Sequence, residues 1–127
     1  MKKNITIRKS QSVDSFLQDA SKHPLLTIEE EVMLAKRVQQ GDEDAMKRLY
    51  EANLRFVVSV AKQYQNRGKS MEELIEAGNK GLELAARRFD LQRGFKFIAY
   101  AVWFIRASIL AFLETSKNNV NISNLTI

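Results

Sequence analysis

FDLQRGFKFIAYAVWFIRASI, residues Phe89 to Ile109, sets six aromatic rings beside Arg93, Lys96 and Arg106. Taken as helical from Ile98 to Leu113 and turned by ~100° per residue, the segment places Ile98, Val102, Ile105, Ile109 and Phe112 on one stripe, which suffices for a core face. Tyr100, Phe104 and Ala111 fall on the opposite side, with Trp103 at its margin. Phe97 and Lys96 join them if the first turn is helical. A helix in a small domain does not readily bury both sides. Either a second packing partner covers the aromatic side, or those rings face a ligand. Flat rings beside cations can hold unstacked nucleic-acid bases, because the rings replace lost base stacking and Lys or Arg neutralises phosphate. A very apolar core helix is the plainer reading of the same residues.

Outward from this stretch, 127 residues are the size of one domain able to bury a real core, and 45% hydrophobic content supports a folded chain. The absence of cysteine removes disulfide and thiolate chemistry and fits a reducing cytosol. One histidine, His23 beside Pro24, argues against a histidine metal site or a serine-type triad. A net charge of +5 favours polyanionic partners, nucleic acid or acidic lipid. The basic start MKKNITIRK lacks the apolar run of a secretory signal. The apolar region Phe97 to Leu113 is interrupted by Arg106 and marginal in length for a membrane span, so no membrane partner is expected.

The periodicity predicts an all-α fold, a compact domain of about five helices with flexible termini. Residues 1–24 read as a basic arm and a short leader helix, with Ser12 to Ala20 helical and stopped before Pro24. Thr27 and Glu30 have capping-box spacing and open a helix from Ile28 to about Gln40, with Gly41 as its stop. Asp42 caps a helix running to about Asn66, along which Met46, Leu49, Asn53, Val57, Val60 and Tyr64 keep helical spacing. Asn53 interrupts that apolar pattern; it could bond a neighbouring helix or read a base edge. Ser70 and Glu73 form a second capping box. After it, Met71, Leu74, Ile75, Gly78, Leu82, Ala85, Ala86 and Phe89 make a buried stripe, leaving Glu72, Glu73, Glu76, Asn79, Lys80 and Glu83 on an exposed face. Gly78 and Gly81 permit close helix contact. The polar run after Leu113 reads as a helix end and a tail, so the helical domain is bounded at 25–115 and the tail at 116–127.

No Gly-Lys-Ser phosphate loop is present, and no nucleophile stands at a spacing that pairs it with a base. The carboxylate pairs Glu29 with Glu30 and Glu72 with Glu73 open helices, where capping explains them better than acid-base work. The chain therefore reads as a non-enzyme with no catalytic residue, metal or cofactor.

Two stretches in order, EANLRFVVSVAKQY at 51–64 and RGFKFIAYAVWFIR at 93–106, are highly specific. Together with the residues around them, from about Leu26 to Ile109, they resemble the primary-type, sigma-70-like sigma factors of bacterial RNA polymerase, in the module holding regions 1.2 and 2. The resemblance implies a cytoplasmic transcription-initiation domain. Such a domain binds core RNA polymerase through a coiled coil of its largest subunit and captures the melted non-template strand of the promoter minus-ten element. It also implies residue roles. Phe89, Arg93 and Tyr100 match the pocket for a flipped adenine; Asn53 and Phe56 match the pocket for the last thymine. Phe95, Lys96 and Phe97 match strand-contacting positions, Trp103 and Phe104 the pair at the upstream edge of the bubble, and Arg106 the adjoining DNA-binding surface. Glu73, Glu76 and Asn79 match polymerase-contacting positions, and an anti-sigma regulator is a further partner of such domains.

Several positions depart from the family pattern. Ala77 stands for a glutamate and Glu76 for a glutamine on the polymerase-binding helix. Phe104 replaces a tryptophan, Ala99 a threonine, and Ala107 and Leu110 replace a glutamine and a threonine associated with reading the upstream duplex pair. Asn118, Asn121 and Ser123 stand for two arginines and a proline, and fewer phosphate contacts weaken DNA affinity. These exchanges keep open an alternative: a divergent polymerase-binding module or decoy without productive promoter opening.

Overall fold

The computed structural model describes residues 13–20, 22, 25–92 and 96–118. Among them are five helices and no strand: α1 Val13–Ala20, α2 Ile28–Gln39, α3 Glu43–Lys62, α4 Met71–Arg88 and α5 Phe97–Asn118. The expected all-helical fold is the one observed. The basic arm, His23, Pro24, Arg93, Gly94, Phe95, Asn121 and Ser123 lie outside the described residues, as does the side chain of Asn118.

Short polar side chains start three of these helices. Thr27 Oγ1 accepts the Glu30 N–H at 3.1 Å while Glu30 Oε1 accepts the Thr27 N–H at 2.9 Å. Ser70 and Glu73 repeat that reciprocal pair at 3.1 and 2.9 Å. Asp42 Oδ1 accepts from Ala45 N–H, and its other oxygen meets Arg37 Nη2 at 2.8 Å. Each device satisfies amide donors that a helix start leaves free.

Two helix ends differ from the sequence reading. Helix α3 stops at Lys62 rather than near Asn66, because Gln63 and Tyr64 donate to carbonyls only three residues back and Asn66 turns to φ 67°. Asn tolerates that left-handed conformation better than most residues. The tightened turn keeps Tyr64 half-buried, which is why its spacing looked helical. Helix α5 continues past Leu113 to Asn118, since the polar residues there include no Gly or Pro to end it.

Helix α4 lies at the centre, against α2, α3 and above all α5. The α4–α5 contact is close because Gly78 and Gly81 face it. A Cβ at Gly81 would press on the Phe104 carbonyl and sit 2.8 Å from Ile105 Cα. This approach rotates α5 from its expected setting. The buried residues are Phe97, Ala101, Ile105 and Ile109, whereas Ile98, Val102 and Phe112 are only half-buried. A stripe judged by large side chains misses Ala101, which is fully buried. By length and composition Phe97–Thr115 could cross a membrane; in this fold its inner side is docked on α4.

Glu72 also departs from expectation. It is 7% exposed rather than on the open face of α4, and its Oε2 has no partner among the described residues.

Candidate nucleic-acid interface

At the junction of α4 and α5, aromatic rings form a continuous ladder. Phe89 meets Phe97 edge-on with centroids 5.3 Å apart; Tyr100 lies 5.7 Å from Phe89 and 4.9 Å from Phe104. The order runs from buried to open. Phe97 is 0% exposed and Phe89 5%, Tyr100 and Phe104 are half-buried, and Trp103 is 68% exposed. Phe97, expected to touch a strand, is thus a core residue that backs Phe89. The rotation of α5 toward the glycines of α4 carried it inward. Arg93 and Phe95, expected to contact the strand, lie outside the described residues.

Backbone bonds fix the ladder. Gln39, on α2, donates from Nε2 to the Ala86 carbonyl at 3.0 Å and the Phe89 carbonyl at 2.9 Å. These are carbonyls that a helix end otherwise leaves unmatched. Tyr100 donates its hydroxyl to the Arg88 carbonyl at 3.3 Å. At the start of α5, the Phe97 N–H donates to Glu31 Oε1 at 3.3 Å. Burial raises the Glu31 pKa, while that amide and the nearby Lys96 charge pull it back.

One turn before Tyr100, Lys96 borders a cavity of about 500 Å³ between α2, α3 and the α5 start. Asn53 and Phe56 line it with Lys96, together with Thr27, Glu31, Arg55 and Ser59. Asn53 is buried, and its Nδ2 donates to the Leu49 carbonyl one turn back at 3.0 Å. Three expected residues, Asn53, Phe56 and Lys96, therefore share one concavity. A half-buried ring, an amide and a cation around an open volume suit a planar, polar-edged ligand such as a nucleobase.

Sequence reasoning missed the wall contributed by Thr27, Glu31, Arg55 and Ser59. Thr27 carried a cap signal and Glu31 an acidic-turn signal, and neither distinguishes a cavity wall from a solvated helix start. Arg106 is half-buried, and its Nε has no partner among the described residues.

The residues expected to meet polymerase lie on α4. Glu73 and Glu76 are exposed along a groove of about 360 Å³ whose apolar floor includes Ala77, Ala111 and Phe112. Asn79 is half-buried outside that groove, its Oδ1 without a partner among the described residues. Elsewhere Tyr50 donates to Glu83 Oε1 at 3.2 Å, and Arg87 grips the other Glu83 oxygen at 2.7 Å. Burial, then the Glu83 charge, pushes the Tyr50 phenol to about 12.

A family model described as Sigma-70 region 2 matches residues 49–118, and one described as Sigma-70 factor, region 1.2 matches residues 12–44. The chain is 44% identical over 116 residues to a Bacillus sp. protein named RNA polymerase sigma factor SigA, an alignment covering 91% of the chain and 31% of that relative. It is 42% identical over 123 residues to the protein of the same name from Clostridium acetobutylicum, covering 94% of the chain and 32% of the relative. The chain thus spans about a third of the length of these relatives.

Proposed function

Because the chain belongs to the sigma-70 family of sigma factors, over its regions 1.2 and 2, we propose that it binds core RNA polymerase and captures the melted non-template strand of a promoter minus-ten element. Members of this family are not enzymes; the synthetic chemistry belongs to the polymerase. Recognition is coupled to strand opening, since each base taken from the duplex exchanges lost stacking for contact with a protein ring.

The observation that carries this reading is the run from exposed Trp103 through Tyr100 and Lys96 to the cavity of Asn53 and Phe56. Tyr100, supported by Phe89 and Phe104, offers a ring for a flipped base; Asn53 and Phe56 receive a second base; Lys96 answers the phosphate between them. Arg93, Phe95 and Arg106 add contacts in this reading, and Phe97 acts by holding Phe89. Glu73, Glu76 and Asn79 form the polymerase side. The helical domain at 25–115 carries both surfaces, with 1–24 as leader and 116–127 as tail, in the cytoplasm. An anti-sigma protein would compete for the polymerase side.

The test is binding of the full chain to a single-stranded minus-ten oligonucleotide and to its scrambled counterpart. The minus-ten strand should bind tighter. Tyr100→Ala should cost roughly 1–3 kcal/mol of that affinity, the range for one base stacked on one ring. Equal binding of both strands would refute base capture. A decoy reading is favoured by Ala77, Ala107 and Leu110, which carry no group for polar recognition. Promoter-dependent transcription from core polymerase reconstituted with the chain would exclude it.

A further inference from the structure

We propose that a second copy of this chain covers the outer face of α5, the two helices lying antiparallel in a weak two-fold dimer that must part before the helix can hold a DNA strand. Turned by ~100° per residue, Lys96 just ahead of the helix and then Ala99, Trp103, Ala107, Leu110 and Glu114 fall on one side of α5, opposite Ala101 and Ile105. Trp103 is 68% exposed and Leu110 43%; Lys96, Ala99 and Glu114 are open, and Ala107 is half-buried. Steps of three or four residues between neighbours are those of a helix–helix seam. Small and large side chains alternate along it, in the order Ala99, Trp103, Ala107, Leu110.

That order is complementary to its own reverse, which is what a two-fold contact requires. With α5 laid antiparallel on a second α5 and the axis at residue 105, Trp103 comes level with Ala107 of the second copy, Leu110 with Ala99, and Lys96 with Glu114. Each bulky side chain then meets a small one. The two ends of the seam, ~27 Å apart along the helix, carry opposite charges that pair twice across the dimer. A parallel arrangement would instead set lysine on lysine, glutamate on glutamate and indole on indole. A lipid surface fits less well. Phe97–Thr115 is apolar enough to cross a membrane by length and composition, but an anionic surface would repel the Glu114 end of the same face. Occlusion of DNA follows from position: Trp103 and Lys96 belong to the strand path proposed above, and a chain paired through this face cannot offer them. That exclusion alone rests on the strand-capture reading.

Sedimentation equilibrium of the full chain tests the pairing, with emission from Trp103, the sole tryptophan, as a second readout. Rising concentration should shift the mass from one chain toward two and move the emission to shorter wavelength as the indole leaves water. Lys96→Glu and Glu114→Lys each set like charges together at both ends of the seam, and either should weaken the dimer about tenfold at low salt, an exposed pair counting for a factor of a few. An equimolar mixture of the two variants should restore it, because the exchanged charges then meet across the dimer, a rescue that no change in the folding of one chain produces. Ala107→Glu, which places a charge against Trp103, should stay monomeric. A parent chain monomeric throughout overturns the proposal, and vesicle binding by that monomer, lost in Ala107→Glu, assigns the face to lipid. A dimer that neither single charge variant alters, or a mixture no tighter than its components, overturns it too. Single-stranded minus-ten DNA should convert the dimer to a complex of one chain and one strand; two chains on one strand, with the dimer contact kept, overturns the exclusion. If minus-ten and scrambled strands bind alike, strand capture itself falls, and the dimer measured without DNA still decides the pairing.

Discussion

Replacing Gly81 by Ala tests the packing on which the aromatic ladder stands. The added Cβ would press on the Phe104 carbonyl and lie 2.8 Å from Ile105 Cα, and both obstacles are backbone. Relief requires α4 and α5 to separate by several tenths of an ångström or more. That shift loosens contacts of Ile105 and Ile109, both fully buried. Overpacking of this kind costs ~1–3 kcal/mol, partly offset by the ~1 kcal/mol that Ala gains over Gly within a helix. These figures leave a net loss of about 0–2 kcal/mol, and the upper part of that range is expected because both obstacles are backbone. Gly78 provides the internal control. A Cβ there would meet Val57 Cγ1 at 2.9 Å and Ile105 Cγ2 at 3.3 Å, side-chain ends that can move, so helix propensity offsets most of the strain. Urea unfolding, followed by circular dichroism and by fluorescence of Trp103, measures both variants. Gly81→Ala should lower the midpoint with little change in slope and should also weaken strand binding, because Phe104 belongs to the ladder. A Gly81→Ala protein as stable as the parent, or less perturbed than Gly78→Ala, would refute the close-contact reasoning.

Other outcomes follow from the same geometry. Gln39→Ala removes two bonds to the end of α4 and should cost about 1–3 kcal/mol in chemical unfolding, with weaker strand binding although Gln39 contributes no ring or charge to the site. Tyr50→Phe should lose roughly 1–2 kcal/mol and remove from a spectrophotometric titration the phenol pushed to about 12. Glu31→Gln should raise stability at neutral pH. Burial lifts the folded-state pKa of Glu31 above its ordinary value of 4.5, so ionisation opposes folding. The advantage of the variant should shrink as pH falls through that raised pKa and vanish below the unfolded value. An advantage independent of pH would disprove burial as the cause.

Helix order and most boundaries were legible in the sequence because the signals are local. Thr27 with Glu30, Asp42, and Ser70 with Glu73 each act within one turn, so spacing alone identifies them. What escaped depends on which backbone comes close to which. The true inner face of α5 passes through Ala101, because Gly78 and Gly81 draw that side inward, and a hydrophobicity pattern gives a small residue little weight. The same rotation took Phe97 out of the expected contact set. Glu72 was read as exposed from its charge and turned inward with the helix face it occupies. For the candidate site, Asn53 stood out as a polar break in an apolar stripe and Lys96 by its aromatic neighbours. Glu31 and Gln39 gave no such signal, since their partners lie 66 and 50 residues away in the chain.

Gln39 and Glu31 sit eight positions apart on α2, ~12 Å of rise. One holds the carbonyl at which α4 ends and the other the amide at which α5 begins. Helix α2 therefore acts as a gauge bar, setting the gap between the last residue of one helix and the first of the next. A half-turn added between Glu31 and Gln39 would alter that gap at once. Evolution or design could in this way retune the spacing between the end of α4 and the start of α5 from within α2.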